Sequence, residues 1–372
     1  MKYSMAAIPV TTASANYSVF IQPGLLDTLA SRIHRVAGNQ RSLFVVTSPE
    51  IWSLWSKPFL ATFIAKNVPI HPLFVPPGEQ HKRLATVERL AEEMARAGAK
   101  RDALLIAFGG GVLGDMTGFL AAIYMRGIRY IQIPTTYLAQ IDSSIGGKTG
   151  VNLRTGKNLI GSFYPPLAVF TDPAVLSTLP PSELRAGLVE SVKAAVLGDA
   201  RFFSWLERNL DPLLAGEEKS LTRAIENSVR IKARIVSVDE RETGPRMLLN
   251  LGHTVGHAIE SVTRYRTLLH GEAIAWGMLA ALDLSVARNA LSPQHAERIK
   301  NLLFRLGPFP RFRATAVALL AATSADKKHL QSAQRFVLPV AIGKAIVVED
   351  VTQPELRAAI ESMLRSVKER GV

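Results

Sequence analysis

The first half of the chain alternates short β-branched and aromatic runs with amphipathic stretches, and this alternation limits the fold more than any other feature. Continuous apolar strands separated by helices favour a parallel, doubly wound sheet, because such strands are buried on both faces. Residues 51–65 and 84–97 carry apolar side chains at helical spacing. The runs with strand character are residues 17–21, 42–47, 70–75, 103–108, 130–133 and 168–171.

The pattern changes after Leu179, where Pro180 and Pro181 precede Ser182, a serine expected to cap a helix. The 372 residues are enough for two domains. We therefore predict an α/β domain with a Rossmann-like sheet over residues 1–180 and an all-α domain over residues 181–372. In the second part, residues 183–197, 221–238, 253–262, 272–290, 295–306 and 354–367 are predicted as helices, and residues 335–340 and 345–348 as extended segments.

Composition excludes several classes of site. The chain has no cysteine, so a metal ion would have to be held by histidine and carboxylate side chains. The N-terminal residues lack a basic start followed by an apolar run, so no signal peptide is expected. The longest apolar region, residues 103–125, contains Asp115 and several glycines, which predicts a buried strand and helix and no membrane span. We expect a cytoplasmic protein.

The formal net charge of +13 is compatible with nucleic acid or acidic lipid as a partner, or with a small anionic substrate and an otherwise solvated positive surface. Aromatic residues make up only 7% of the chain, and no block of lysine and arginine interleaves with them. A small anionic substrate is therefore favoured over nucleic acid. A nucleic-acid-binding protein would instead show strongly salt-dependent affinity for DNA.

Three of the eight histidines lie between Asn250 and Glu272. His253 and His257 would share one helix face about 6 Å apart, whereas a straight helix would carry His270 about 25 Å away from His253. The chain must turn back for the three to meet, and residues 265–267 are polar enough to do so. Neighbouring glycines permit close approach, and Glu260 and Glu272 are available as ligands or as orienting partners. The stretch predicts a metal site, although spacing does not select its third ligand.

Two glycine-rich segments predict contacts with anions. The apolar run that ends at residue 108 leads directly into glycines at 109–111 and 114, an arrangement that brings main-chain N–H groups and a helix N-terminus against a phosphate. The spacing is not G-x-G-x-x-G, so structural glycines in a tight turn are the alternative. Lys148 lies among glycines, yet Asp142 occupies the position of the first P-loop glycine, which argues against an ATP site.

Taken together, these segments resemble the 3-dehydroquinate synthase family over nearly the whole chain. The matching segments are Pro77-Gly78-Glu79 with Lys82, residues 109–115, 124–127, 132–152, 156–158 and 185–190, Lys193, and residues 239–242, 246–260 and 269–272. The resemblance implies an NAD-binding α/β domain, a helical domain that binds metal and substrate, and an active site in the cleft between them. It also implies Zn²⁺ or Co²⁺ held by Glu190, His253 and His270, which moves His257 to a catalytic or substrate contact.

The resemblance assigns the remaining site residues one by one. The NAD contacts implied are Glu79, Lys82, Gly110, Gly111, Val112, Gly114, Asp115, Thr135, Thr136, Lys148, Lys157, Leu176 and Thr178. The catalytic residues implied are Asp142, Lys148, Lys193, Lys232, Arg246, Asn250 and His257. Further substrate contacts implied are Asn158, Lys327, Lys328 and Arg126, which is expected to reach the neighbouring subunit's site in a homodimer.

The activity implied is the conversion of 3-deoxy-D-arabino-heptulosonate 7-phosphate to 3-dehydroquinate and phosphate, a shikimate-pathway step towards aromatic amino acids. The alternatives are another sugar-phosphate cyclase, such as a 2-epi-5-epi-valiolone or 2-deoxy-scyllo-inosose synthase, and an NAD alcohol dehydrogenase of the glycerol dehydrogenase type. One position departs from the family pattern: Ser48 stands where an aspartate commonly binds the adenosine ribose.

Overall fold

The computed structural model describes residues 5–39, 42–64, 68–328 and 334–372, apart from the side chains of residues 64 and 325–328. The chain forms two compact units. The first comprises Met1–Leu179 with Glu218–Arg241, and the second comprises Pro180–Glu217 with Glu242–Val372. The first break lies beside the boundary predicted at residue 180, whereas the return of Glu218–Arg241 to the first unit is not expected from the sequence.

The strands of the first unit are β1 (Ala6–Thr11), β2 (Asn16–Ile21), β3 (Leu43–Thr47), β4 (Ile70–Phe74), β5 (Leu104–Gly109), β6 (Arg129–Pro134), β7 (Lys148–Val151), β8 (Ile160–Phe163) and β9 (Ala168–Thr171). Seven of them form one sheet with the spatial order β1-β2-β9-β6-β5-β3-β4, and β7 and β8 form a separate hairpin. The β1–β2 pair is antiparallel and the other pairs are parallel, which confirms the predicted α/β fold. Pro9 does not exclude β1, because proline is tolerated on an edge strand.

The sheet is buried on both faces. Leu43 and Val45 of β3 belong to one apolar cluster, and Phe44 and Val46 belong to another. Alternate residues of one strand therefore fill two different cores, which explains why the sequence of β3 is apolar throughout. The helices of this unit are α1 (Leu29–Ala37), α2 (Pro49–Ile64), α3 (Leu84–Arg96), α4 (Gly111–Ile123) and, in the returning segment, α8 (Glu218–Val238).

The second unit is mainly helical. Its segments predicted as extended form one antiparallel hairpin of β10 (Phe336–Ala341) and β11 (Lys344–Val348). Its helices are α5 (Pro181–Gly198), α6 (Ala200–Arg208), α7 (Leu210–Leu214), α9 (His253–Val262), α10 (His270–Ala287), α11 (Pro293–Leu306), α12 (Ala316–Lys328) and α13 (Gln353–Arg370).

The start of α5 differs from the prediction. The helix begins at Pro181, with Pro180 at the cap position, so Ser182 lies inside the first turn and is not the cap. Proline is suited to the first helical position, because its missing N–H would have no partner there and its φ is already helical.

Among the described residues, no helix is both long and apolar enough to cross a membrane.

Candidate metal centre and nucleotide-binding edge

A helix, a turn and a second helix bring the three histidines together. α9 begins at His253 after Gly252, which has the left-handed φ of 79°. The chain reverses after α9 through Arg264 and Tyr265, with φ of 56° and 57°, and the N–H of Tyr265 donates to the carbonyl of Glu260 at 2.8 Å. α10 then begins at His270. The predicted reversal is confirmed, and it starts one residue earlier than expected.

The ring centroid of His253 lies 5.2 Å from that of His257 and 5.3 Å from that of His270. Glu190 of α5 completes a cluster in which one potential ligand atom each from Glu190, His253 and His270 lie within 4.8 Å of one another. These are the three residues that the resemblance implies as metal ligands. His257, Glu260 and His270 form a second group that meets the same distance limit.

Glycine makes the close approach of α5 and α10 possible. A Cβ at Gly271 would collide with the main-chain carbonyl of Ala186 in α5. Since Gly271 follows His270 and Ala186 lies one helical turn before Glu190, this contact sets the distance between the two ligand-bearing helices.

The chemistry of the cluster fits a divalent cation. The Glu190 side chain is 2% exposed and contacts the Lys193 ammonium. Neither of its oxygens has a hydrogen bond of normal geometry within the described part of the chain. Burying a carboxylate without such bonds is costly, and coordination to a cation would offset that cost. Two imidazoles with one carboxylate, and no thiolate, form a set that zinc or cobalt accepts.

The electrostatic environment keeps His253 neutral. Burial lowers the pKa of His253 well below the ordinary value of 6.5, and the positive charge of Lys193 lowers it further. The Nδ1 atom of His253 lies 3.2 Å from the carbonyl of Leu251. If Nδ1 carries the proton, Nε2 keeps its lone pair, as a metal ligand must.

Three other predicted residues lie in the same unit. His257 is half-exposed, with Nε2 4.0 Å from Oε2 of Glu260. Arg246 is buried. Asn250 donates through Nδ2 to Oε1 of Glu242 at 2.6 Å. Glu242 is absent from the predicted site, and its positive φ of 60° is uncommon for a non-glycine residue.

In the first unit, the glycine-rich turn joins the end of β5 to the start of α4. Gly110 occupies the cap position without a capping side chain. A Cβ added to Gly110 would lie 3.1 Å from Cγ2 of Thr136, and one added to Gly111 would lie 2.7 Å from Oγ of Ser143. Ser143 Oγ is itself buried without a hydrogen-bond partner within the described residues. The helix N-terminus and this hydroxyl can accept a dinucleotide phosphate, so NAD fits here.

A polar network lies around Lys82. Its ammonium donates to Oδ2 of Asp115 and to Oδ1 of Asn158, at 2.5 Å in each case. Asn152 donates to Oε1 of Glu79 at 2.7 Å and accepts from the N–H of Asn158 at 2.8 Å. Four residues predicted to bind cofactor or substrate are therefore connected, and Asn152, which is not among the predicted site residues, links them.

Asp115 is held in an environment that disfavours its charge. Burial raises the pKa of the Asp115 carboxyl group above its ordinary value, and the Lys82 ammonium opposes that rise. Ser48, at the position where the family commonly has aspartate, accepts a hydrogen bond from the N–H of Ile51 at 3.3 Å. Its hydroxyl thereby caps the first turn of α2.

The other predicted contacts of the first unit are distributed over several elements. Lys232 of α8 donates to Asp142 in the π-helical turn Ala139–Ser143. The hydroxyl of Thr178 accepts from Nε1 of Trp55 at 3.1 Å. Lys148 begins β7 with an exposed side chain, and Lys157 lies in the turn before β8. Thr135 follows the end of β6, and Leu176 is buried. Val112 and Gly114 lie in the first turns of α4. Lys327 and Lys328 end α12, and their side chains lie outside the described residues.

Comparison with known proteins decides the family. Sequence models described as 3-dehydroquinate synthase N-terminal and C-terminal match residues 72–186 and 187–329. The chain belongs to the 3-dehydroquinate synthase family. A 3-dehydroquinate synthase of Solibacter usitatus is 45% identical over 361 residues, which cover 97% of this chain and 100% of that relative.

The fold of the chain is similar to those of solved sugar-phosphate cyclases. The 2-epi-5-epi-valiolone synthase of Streptomyces hygroscopicus, solved with NAD⁺ and Zn²⁺, matches with a TM-score of 0.86 and 30% identity, over 94% of this chain and 97% of its own. A 2-deoxy-scyllo-inosose synthase complexed with carbaglucose-6-phosphate, NAD⁺ and Co²⁺ matches with a TM-score of 0.87 and 27% identity, over 96% of this chain and 100% of its own.

Proposed function

We propose that the chain converts 3-deoxy-D-arabino-heptulosonate 7-phosphate to 3-dehydroquinate and phosphate, as a carbon–oxygen lyase of aromatic amino-acid biosynthesis, with bound NAD and Zn²⁺ or Co²⁺. The observation that carries the proposal is the convergence of Glu190, His253 and His270 in a chain of this family. The cytoplasmic location expected from the sequence stays a prediction.

The proposed chemistry needs a Lewis acid and a transient hydride acceptor. A bound cation would supply Lewis acidity towards the substrate's neighbouring C4 and C5 hydroxyls, and bound NAD would accept the hydride from C5 and, as NADH, return it to the substrate after phosphate has left. In this proposal, Glu190 and the two imidazoles hold the cation, and the turn at residues 109–115 holds the pyrophosphate of NAD. The C5 ketone acidifies the C6 proton, so phosphate can leave, and the ring opens and recloses by an aldol step.

Buried cationic side chains support an anionic substrate. Lys193, Lys232 and Arg246 are 3%, 8% and 3% exposed, and a folded chain rarely buries such groups without a functional or structural reason. A substrate with a carboxylate and a phosphate would form charge-assisted hydrogen bonds with them, and these are stronger than neutral ones. His257 is proposed to relay a proton from a substrate hydroxyl, because imidazole titrates near neutrality.

We further propose a homodimer in which Arg126 completes the partner's substrate site. Three consecutive residues just after α4 have positive φ: Met125 at 47°, Arg126 at 67° and Gly127 at 124°. Two of them are not glycine, and such conformations persist where the surroundings require them. Ile123 and Met125 are 48% and 42% exposed, which supports an apolar contact surface in the segment that carries Arg126.

The two alternatives make different predictions about product. Another sugar-phosphate cyclase would act on a sugar phosphate without a carboxylate, and an alcohol dehydrogenase would accumulate NADH. The 45% identity to a 3-dehydroquinate synthase, against 30% and 27% to the two other cyclases, favours the heptulosonate.

One assay separates these functions. The purified chain is incubated with the heptulosonate phosphate, NAD and Zn²⁺ or Co²⁺, while phosphate release and NADH absorbance are followed. We expect stoichiometric phosphate, 3-dehydroquinate as the product and no accumulated NADH. His253→Ala should lose bound metal and turnover together, whereas His295→Ala in α11 should retain both. Turnover by metal-free His253→Ala, or net NADH formation by the unsubstituted chain, would overturn the proposal.

A further inference from the structure

A carboxylate that the metal proposal does not use lies between two of the histidines. The Glu260 side chain is 6% exposed, and its two oxygens face different imidazoles. Oε1 lies 3.4 Å from Nδ1 of His270, and Oε2 lies 4.0 Å from Nε2 of His257. Glu260 and His257 both lie in α9, and His270 begins α10, the next helix along the chain.

The backbone around Glu260 is fixed. Its carbonyl accepts from the N–H of Tyr265 at 2.8 Å and from the hydroxyl of Thr263 at 3.2 Å. The last turn of α9 and the reversal towards α10 are therefore joined at the residue that carries the carboxylate. A carboxylate on such a rigid support can orient a neighbouring ring, which a mobile surface glutamate cannot do.

The two proposed metal-binding imidazoles are held in the same way. Nδ1 of His253 lies 3.2 Å from the Leu251 carbonyl, and Nδ1 of His270 lies 3.4 Å from the Glu260 carboxylate. A neutral imidazole has one N–H and one lone pair, so an acceptor beside Nδ1 places the proton there and leaves the lone pair on Nε2. Both rings would then present Nε2 to the cation.

We propose that Glu260 is a positioning residue: it accepts the Nδ1–H of His270, which fixes the tautomer and ring orientation in which Nε2 binds the cation, and it is not itself a ligand. This inference rests on the metal site of the proposed function. It differs from the arrangement in which His257, Glu260 and His270 hold the cation, because there an oxygen of Glu260 would bind the cation directly.

Metal affinity, measured on the full chain without substrate, tests this role. The protein is stripped of metal, and its dissociation constant for Zn²⁺ is determined by competition with a chromogenic chelator. Partners that orient a ligand are typically worth about 10–100-fold in affinity. Glu260→Gln keeps an oxygen acceptor without the charge and should weaken binding about tenfold, whereas Glu260→Leu removes the acceptor and should weaken binding about a hundredfold.

Glu272→Gln is the matched control. Glu272 is also a buried carboxylate near His270, but it accepts from the N–H of Leu269 at 2.8 Å and caps α10. Glutamine can fill that capping role, so the affinity for Zn²⁺ should stay within about twofold of the unsubstituted chain. The thermal midpoint of each metal-free variant and the visible absorption of its Co²⁺ form are measured alongside. Glu260→Gln should keep the wild-type Co²⁺ spectrum, because no ligand is lost.

Two results would overturn the proposal. Unchanged Zn²⁺ affinity in both Glu260 variants would remove any positioning role. An altered Co²⁺ spectrum in Glu260→Gln, or a loss of Zn²⁺ affinity as large as that of Glu190→Gln, would make Glu260 a ligand. If Glu260→Leu does not fold, the comparison of Glu260→Gln with Glu260→Asp still decides, because aspartate keeps the charge but withdraws it from His270. The assay contains neither NAD nor substrate, so its failure is distinguishable from failure of the proposed reaction.

Discussion

The Lys232 ammonium donates to both the main-chain carbonyl and the carboxylate of Asp142, at 2.5 Å in each case, although 90 residues separate them in sequence. The contact ties α8 to the π-helical turn that follows β6. A helix from the returning segment of the chain is thereby fixed to the sheet of the first unit.

Replacing Lys232 should therefore affect stability as well as turnover. Lys232→Met leaves the Asp142 carbonyl and carboxylate without this donor, and we expect a loss of about 1 kcal/mol, because the carboxylate is 32% exposed and keeps some hydration. Urea unfolding of Lys232→Met, Asp142→Asn and the double variant measures the coupling.

Lys219→Met, an exposed position on the same helix, is the control and should change neither stability nor turnover. Additive effects of the two single substitutions would show that the contact contributes nothing to stability.

Gly271→Ala should weaken metal binding without touching a ligand. The added Cβ would collide with the Ala186 carbonyl and force α10 away from α5. His270 and Glu190 would then separate, and we expect the affinity for Zn²⁺ to fall about tenfold or more. Chelator competition on the stripped protein measures the change.

Gly216→Ala separates this effect from general destabilisation. Gly216 has φ of 73° and open space where the methyl group of an alanine would lie, so alanine there costs about 1–2 kcal/mol through backbone strain alone. It should lower the free energy of unfolding and leave Zn²⁺ affinity unchanged. Equal losses of affinity in the two variants would argue against a specific role for Gly271.

Arg126 can be tested by mixing inactive subunits. If each substrate site borrows Arg126 from the partner, a heterodimer of Arg126→Ala with His253→Ala has one complete site and one incomplete site. Random reassociation of equal amounts should restore about a quarter of the unsubstituted activity, because half of the dimers are mixed and each has one working site.

NAD affinity should be unchanged in Arg126→Ala, since no NAD contact is assigned to it. No recovery of activity after mixing, with dimers demonstrated by light scattering, would place the guanidinium in its own subunit's site.

The buried carboxyl group of Asp172 should make the stability of the chain depend on pH. Its buried carboxylate accepts from the N–H groups of Gly24, Leu26 and Ala174 at 2.9, 2.9 and 3.0 Å. Burial nevertheless raises its pKa above the ordinary value of 3.8, against the effect of these donors. Because the pKa of Asp172 is higher in the folded than in the unfolded chain, its protonated carboxyl group contributes stability. This contribution is fully present below the unfolded-state pKa and is lost as the pH rises through the folded-state pKa.

Asp172→Asn should destabilise the chain by about 1–3 kcal/mol, because the amide NH₂ replaces one acceptor. The difference in the free energy of unfolding between Asp172→Asn and the unsubstituted chain should become smaller as the pH rises from the ordinary aspartate pKa towards neutrality. Urea unfolding over that range measures it, with Asp211→Asn at a 90% exposed side chain as the control. A difference that grows with pH would mean that the three donors outweigh burial.

Local patterns predicted the main elements because burial imposes them. β3 and β5 are buried at every position, so their sequences had to be apolar throughout. β7 and β8 escaped prediction for the opposite reason: Gly150 and Gly161 pack against each other's strands, where a Cβ would meet main-chain atoms, and glycine carries no strand signal.

Long-range contacts could not be read from local spacing. The resemblance supplied Glu190, which no periodicity connects to the histidines. Asn152 was missed because its role depends on Glu79 and Asn158, which lie 73 and 6 residues away. Glu242 is an ordinary acidic residue in sequence, and only the folded chain shows its positive φ. The sequence marked Glu260 as a ligand or an orienting partner, and only the folded chain shows that its two oxygens face different imidazoles.

The return of Glu218–Arg241 to the sheet-containing unit has a consequence for how the chain can be divided. If the chain were divided once, after Leu179, the N-terminal fragment would lack α8 and therefore the Lys232 ammonium that donates to Asp142. Hybrids between relatives would have to exchange material at three junctions at once, so we expect this architecture to resist shuffling by single recombination events and to be inherited as one piece.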